Sequence, residues 1–318
     1  MTQSSDLEPV VRPAIPKPRA HRSSVWRGFF GNKKAAFGFG IFAVFVVIAI
    51  FAPLLAPYNP QATVFTPLQG PSWHHWFGTT ATGQDVLSQM IIGSRVSLGI
   101  GISAGIMATA LAILLGMLPA YLGGKTDTIF TTITNIMLVI PGLPLLIVIT
   151  AYVHQTDTWT LALVLGLTGW AWGARVLRSQ TLTYVRRDFV VAARLAGASH
   201  WHILIHEILP NMLSLVVANL MFATLGAVLA TASLQFLGLG NPNSMSWGTM
   251  LYWAQVGQAL LNGAWWWLVA PGAAIALFGA SMALMNFGVD ELTNPRLRQA
   301  RRISKEFSRK QSRRPTHD

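Results

Sequence analysis

Side chains that could do chemistry are scarce in this 318-residue chain, which is 52% hydrophobic and only 11% charged. Between the termini they gather in one stretch, Arg186 to Pro210 (RRDFVVAARLAGASHWHILIHEILP), where Arg, Asp, His and Glu occur together. Elsewhere the chemical options close quickly. His74-His75 invites a metal reading, but adjacent positions do not converge on one ion and no Cys or carboxylate cluster completes a tetrahedral set, so structural or interfacial histidines and no metal site are expected. Gly123-Gly124-Lys125-Thr126 ends like a phosphate-binding loop, yet the required first glycine falls at Pro119 and an apolar run stands where a soluble strand should. It reads as a turn at a membrane surface. Ser103 and Ser233 lie in apolar runs without a base partner, so nucleophilic catalysis is not indicated. With no cysteine, disulfides, thiolate metal sites and thiol nucleophiles are excluded.

What remains is docking. The run Val191-Ala192-Ala193-Arg194-Leu195-Ala196-Gly197-Ala198-Ser199 is rich in small residues, so a helix there exposes a nearly bare backbone on one face, suited to close approach by another protein. Gly197 offers a C-cap or tight turn, and Pro210-Asn211 marks a second boundary, giving helix, turn, helix.

These elements need a scaffold, and the scaffold is apolar. A mean hydropathy of +0.47 with so few charges identifies an integral membrane protein. Residues 1–34 form a basic segment with an interfacial stretch around Trp26-Arg27-Gly28-Phe29-Phe30. Residues 35–290 hold six spans, near 35–55, 98–122, 129–153, 158–176, 211–238 and 264–288, and residues 291–318 are a basic tail. The expected fold is therefore all-α. A long loop is expected over 58–97 and a polar one over 178–210. Pro141-Gly142-Leu143-Pro144 must break span three, and Trp73, Trp76 and Trp265-Trp266-Trp267 read as an aromatic belt.

The spacing of Ala192-Ala193, Gly197 and Leu209-Pro210 resembles the "EAA" cytoplasmic loop in the membrane subunits of bacterial ATP-binding-cassette importers, with Val191 where the general pattern has Glu and Glu207 where it has Ile. The stretch from His75 to Leu98 is similar to the "FGTDxxGRDVxSRxxxGxRxSL" signature of the dipeptide, oligopeptide and nickel permease branch, with Thr80, Gln84 and Gln89 replacing charged residues. Asn294-Pro295-Arg296-Leu297-Arg298 resembles the end of such permeases. The resemblance implies a six-span type I importer domain paired with a homologous permease, two separate ATPases and an external binding protein. ATP and Mg would sit on the ATPases, with no cofactor on this chain. Val191, Ala192, Ala193, Gly197, Ala198, Ser199, Leu209 and Pro210 would then couple to an ATPase, whose closure would swing spans three to five.

The positive-inside rule gives the orientation: 22 of the 23 Lys and Arg residues fall in the N-terminal segment, at Lys125, in the central loop and in the tail, leaving Arg95 on the other side. Both termini are thus expected in the cytoplasm of a bacterial inner-membrane protein, and the net charge of +12 needs no nucleic acid. A stand-alone channel or secondary carrier normally carries ionisable groups within its spans, and none is visible here. Candidate pathway residues are Thr131, Thr134, Asn135, Pro141, Asn219, Ser233, Gln235 and Asn286. Di- or oligopeptides are the expected cargo, with nickel, opines or oligosaccharides as alternatives within the branch.

Overall fold

The computed structural model describes residues 32–152 and 157–293, all of whose regular structure is helical. The expected interfacial segment around Trp26 and the basic tail lie outside the described residues. Among the described residues five helices are long and apolar enough to cross a membrane: Lys33–Ile50, Val86–Leu122, Thr158–Tyr184, His200–Phe236 and Trp265–Val289. The pair Gly124–Val139 and Gly142–Tyr152, bent by 87°, makes a sixth if counted as one broken span.

Helix α1 (Lys33–Ile50) and the short α2 (Ala52–Leu55) lead into an irregular segment that ends at Asp85. Helix α3 (Val86–Ala112) starts 12 residues before the expected 98, because the buried Asp85 carboxylate accepts the Ser88 amide at 2.8 Å and caps the helix there. Arg95, assigned to a loop from sequence, is an exposed residue of this helix. A π-helical turn, Ile113–Met117, joins α3 to α4 (Leu118–Leu122). Gly123 and Gly124 then turn the chain with φ of 71° and 60°, a conformation that suits glycine and agrees with the expected surface turn.

Helices α5 (Gly124–Val139) and α6 (Gly142–Tyr152) form the broken span. The break falls at Ile140-Pro141, as proline chemistry demands. Helix α7 (Thr158–Thr168) continues through Gly169-Trp170 into α8 (Ala171–Tyr184), so this span runs eight residues beyond the expected 176. A short helix α9 (Asp188–Leu195) follows, then the turn at Gly197, then α10 (His200–His202), a π-helical turn Ile203–Ile208, and α11 (Leu209–Phe236).

Pro210 is not the boundary expected from sequence. It stands in the first turn of α11, and the stretch His200–Phe236 crosses it as one helical unit. The preceding π turn shifts the local hydrogen-bond pattern, and that is how a ring lacking an N–H is accommodated inside a helical run. The loop expected around Trp247 likewise contains a helix, α12 (Trp247–Val256), which carries a reciprocal Ser246/Thr249 capping box. Helix α13 (Trp265–Thr293) is the last described element.

Helices α3 and α11 pack most intimately. A Cβ on Gly105 would fall 2.9 Å from the Thr224 backbone, so the small residue is what allows the two backbones to close. Helix α13 packs along α1, where Phe45, Trp247 and Phe278 form an edge-to-face cluster. The segment 56–85 is fastened to this end of the bundle. His75 Nδ1 lies 2.8 Å from Asp85 Oδ1, and Trp266 Nε1 donates to the Thr79 carbonyl at 3.2 Å. His75 is thus structural, as expected. The tryptophans divide: Trp73 is 93% exposed and fits a belt, whereas Trp267 is only 4% exposed and packs inward. Three consecutive indoles on one helix are spread over about 200°, so all three cannot face lipid.

Candidate functional site

Two features lie where the resemblance directs attention: an exposed corner formed by α9 and Gly197, and a cavity inside the bundle.

The corner is built by opposing demands on an eight-residue helix. Asp188 in its first turn and Arg194 in its last complement the helix dipole. Val190 is completely buried against Leu177, Ile203 and Ile208, which seats one face of α9 on the bundle. The opposite face carries Val191, Ala192 and Leu195 into the open, Leu195 at 85% exposure. The helix ends in a Schellman arrangement: Ala198 N–H donates to Ala193 O and Gly197 N–H to Arg194 O, both at 3.0 Å. Gly197 takes φ of 78°, with nothing within 4 Å of where a Cβ would stand. Ser199 then caps the next helix, accepting the His202 amide at 3.3 Å.

Six of the eight expected coupling residues, Val191, Ala192, Ala193, Gly197, Ala198 and Ser199, therefore gather at one corner. Ala193 and Ala198 are half-buried and the other four exposed. Leu209 and Pro210 lie a π turn further on, at the start of α11. Val191, Ala192, Leu195 and the small residues around Gly197 form an exposed, mainly apolar surface that another protein can cover, with Asp188 and Arg194 as the exposed charges beside it.

The cavity measures about 570 Å³ and sits at the elbow of the broken span. Met137, Ile140, Gly142 and Leu145 line it from α5 and α6, Ala104 and Ala108 from α3, Trp172 and Gly173 from α8, and Asn219 and Phe222 from α11. Among the described residues its polar side chains are Thr168, Asn219 and the indole N–H of Trp172, and no ionisable group lines it. Thr168 is spent on its own helix, donating to Val164 O at 2.8 Å. Asn219 donates to Thr109 Oγ1 at 3.1 Å, and Gly173 leaves room for its carbonyl oxygen, which any Cβ there would strike.

Among the expected pathway residues, Asn219 lines this cavity and Pro141 makes its elbow, but the other six lie elsewhere. Asn135 accepts from Arg175 at 2.7 Å, and Thr131 donates at 3.4 Å to Asp127, which Arg178 holds with two hydrogen bonds of 2.7 Å. These groups tie α5 to α8 rather than face the cavity. Thr134 donates to Phe130 O and Ser233 to Leu229 O, each within its own helix. Gln235 is buried, accepting from Ser246 at 2.6 Å at the foot of α12. Asn286 is on α13, away from the cavity. Sequence reasoning singled out polar residues and so missed the apolar lining, Trp172 and Phe222 included. The clue was the conjunction of Pro141-Gly142 with small residues on the facing helices.

Among the described residues no group of three or more His, Cys, Asp or Glu could hold a metal ion. His202 and His206 stack at 4.6 Å with nearly parallel rings, so their in-plane lone pairs do not converge.

Comparison with known proteins gives a consistent picture. Residues 108–299 match the family model described as the binding-protein-dependent transport system inner membrane component, and residues 22–71 match the N-terminal TM domain of oligopeptide transport permease C. The chain is 33% identical to the dipeptide transport system permease protein DppC of Alkalihalophilus pseudofirmus, covering 90% of this chain and 95% of the relative. It is 32% identical to the di/tripeptide transport system permease protein DppC of Pseudomonas aeruginosa (86% and 92%), and 29% identical to the oligopeptide transport system permease protein OppC of Bacillus subtilis (87% and 91%).

Proposed function

The chain belongs to the binding-protein-dependent transport system inner membrane component family, and from that premise we propose that it forms half of the pathway of an ATP-driven importer of di- or oligopeptides. The observation that carries this reading is the conjunction of an exposed apolar corner at one end of the bundle with a cavity at the elbow of a broken span. The corner gives a separate ATPase a place to push, and the elbow gives the bundle a place to yield. The peptide assignment is supported by the relatives' names, and by a cavity whose lining holds no ion-pairing group for one particular cargo.

The work divides between subunits. ATP and its Mg ion belong to the ATPases, since the one glycine-lysine turn here is an open surface turn on an apolar helix end. An external binding protein would select the peptide and deliver it at the 56–85 end. A homologous permease would close the open side of the cavity. The membrane is the bacterial inner membrane, with both termini and the Gly197 corner in the cytoplasm, as the distribution of basic residues supports.

The test is reconstitution. Proteoliposomes holding this permease, its paired permease and the ATPases should take up a labelled tripeptide only when the binding protein is outside and ATP is inside. Uptake without ATP, or without binding protein, would contradict the proposal.

A further inference from the structure

Tyr121 connects the corner to the bundle in a way that none of the docking residues does. It lies in α4, a five-residue helix with irregular backbone at both ends: the π turn Ile113–Met117 before it, and Gly123-Gly124, both at positive φ, after it. The ring is 4% exposed and belongs to the same buried cluster as Val190 of α9 and Ile203 and Leu204 beyond the turn.

Two further contacts reach this side chain from opposite sides of Gly197. The Arg194 guanidinium, in the last turn of α9, lies 5.2 Å from the ring centroid, within cation–π range. His200, first residue of α10, approaches the hydroxyl with Nδ1 at 3.2 Å and sets its ring edge-on to the tyrosine at 5.7 Å. One side chain is therefore gripped by both arms of the helix-turn-helix. The helix that carries it ends a span whose π turn touches α8 backbone to backbone, because a Cβ on Gly116 would run into Ala174.

We infer that Tyr121 is a positioning residue that relays movement of the Gly197 corner into α4, and through the Gly116–Ala174 contact into α8. This rests on the proposed docking of an ATPase at the corner. When the corner is displaced, Arg194 and His200 carry the tyrosine with them, and α4 moves as a short lever between two irregular joints. Without those contacts an ATPase could still bind and hydrolyse, but less of the corner's displacement would reach the spans.

The test uses the whole importer in proteoliposomes, comparing the parent with Tyr121→Phe, Tyr121→Leu, His200→Ala and His200→Asn. Three quantities are read: ATPase subunit retained on the tagged permease, basal ATP hydrolysis, and peptide taken up per ATP hydrolysed. Tyr121→Leu and His200→Ala should keep the first two and lower the third by about fivefold or more, the scale of a modest coupling energy. Tyr121→Phe, which keeps the ring under Arg194, should fall between, and His200→Asn, with a hydrogen-bonding group near the Nδ1 position, should recover most of the ratio. An unchanged ratio in Tyr121→Leu and His200→Ala would overturn the relay. So would loss of the ATPase from these variants alone, because Tyr121 would then be building the docking surface. Should Tyr121→Leu fail to fold, the His200 pair and Tyr121→Phe decide the matter. A parent complex that retains no ATPase would instead overturn the docking reading itself.

Discussion

At Gly197 two explanations of one residue make different demands. Its φ of 78° lies in the left-handed region, where a Cβ costs about 1 kcal/mol and asparagine is the best-tolerated substitute. If the glycine only ends α9, Gly197→Asn should couple as well as the parent, since nothing in this chain stands within 4 Å of a Cβ there. If an ATPase closes over the corner, Asn should insert and fold normally but lose much of the ligand-stimulated hydrolysis. Gly197→Asp, with a charge to desolvate, should lose nearly all of it, and Gly197→Ala less. Hydrolysis rates of the three reconstituted variants separate the two cases, and full stimulation in Gly197→Asp would end the coupling assignment. Asp85 makes a simpler case. Its carboxylate accepts the Ser88 amide and hydroxyl at 2.8 and 2.6 Å and lies 2.8 Å from His75 Nδ1, all out of water. Asp85→Ala orphans these groups and removes the α3 cap, a loss of about 2–4 kcal/mol. The purified permease should unfold at a clearly lower temperature in detergent, and an unchanged melt would show that segment 56–85 contributes nothing to holding α3.

Among the elements, the elbow between α5 and α6 and the short α9 carry the functional proposals. Replacing Pro141 and Gly142 together by Ala supplies the missing N–H and raises helix propensity at the break. The double variant should still pair with its partner permease but import several-fold more slowly, because a straighter span intrudes on the cavity. Import at the parent's rate would mean the elbow is a packing accommodation only. The outward face of α9 is apolar beyond Asp188 in its first turn, so ATPase docking should survive about 1 M salt, where the Debye length shrinks to about 3 Å. Release of the ATPases at moderate salt would point to the nearby arginines instead. Much of this architecture is legible in the sequence, because long apolar runs, the Pro141-Gly142 break and the Gly197 stop each have a local physical cause. The start of α3 is not: residues 86–97 mix Ser, Gln, Gly and Arg with apolar residues, and only the Asp85 cap, fastened by a histidine ten positions earlier, identifies them as helix. Nor is the continuity through Pro210, which depends on a π turn that no residue type announces. Nor are the partners of Asn135 and Gln235: a polar residue in a span does not announce that it is bonded to Arg175 or to Ser246 until the fold brings the two together.

For the whole molecule, the corner and the 56–85 segment occupy opposite ends of the bundle, with the cavity and its elbow between them. A stand-alone ion-coupled carrier normally has an ionisable group at its cavity, and among the described residues none lines this one. An importer subunit driven from outside its own chain does not. For such a subunit the corner must face the compartment that holds the ATPases and be covered by them. The cysteine-free sequence allows this to be measured directly, with a single cysteine placed at Leu195, the most exposed large apolar residue of α9, and a control at Asn243 near the opposite end. A membrane-impermeant thiol reagent should label Leu195→Cys only in inside-out vesicles, and bound ATPase should block that labelling, while Asn243→Cys should label only from the outside of intact cells. Labelling of Leu195→Cys from outside, or undiminished labelling with the ATPases bound, would contradict it.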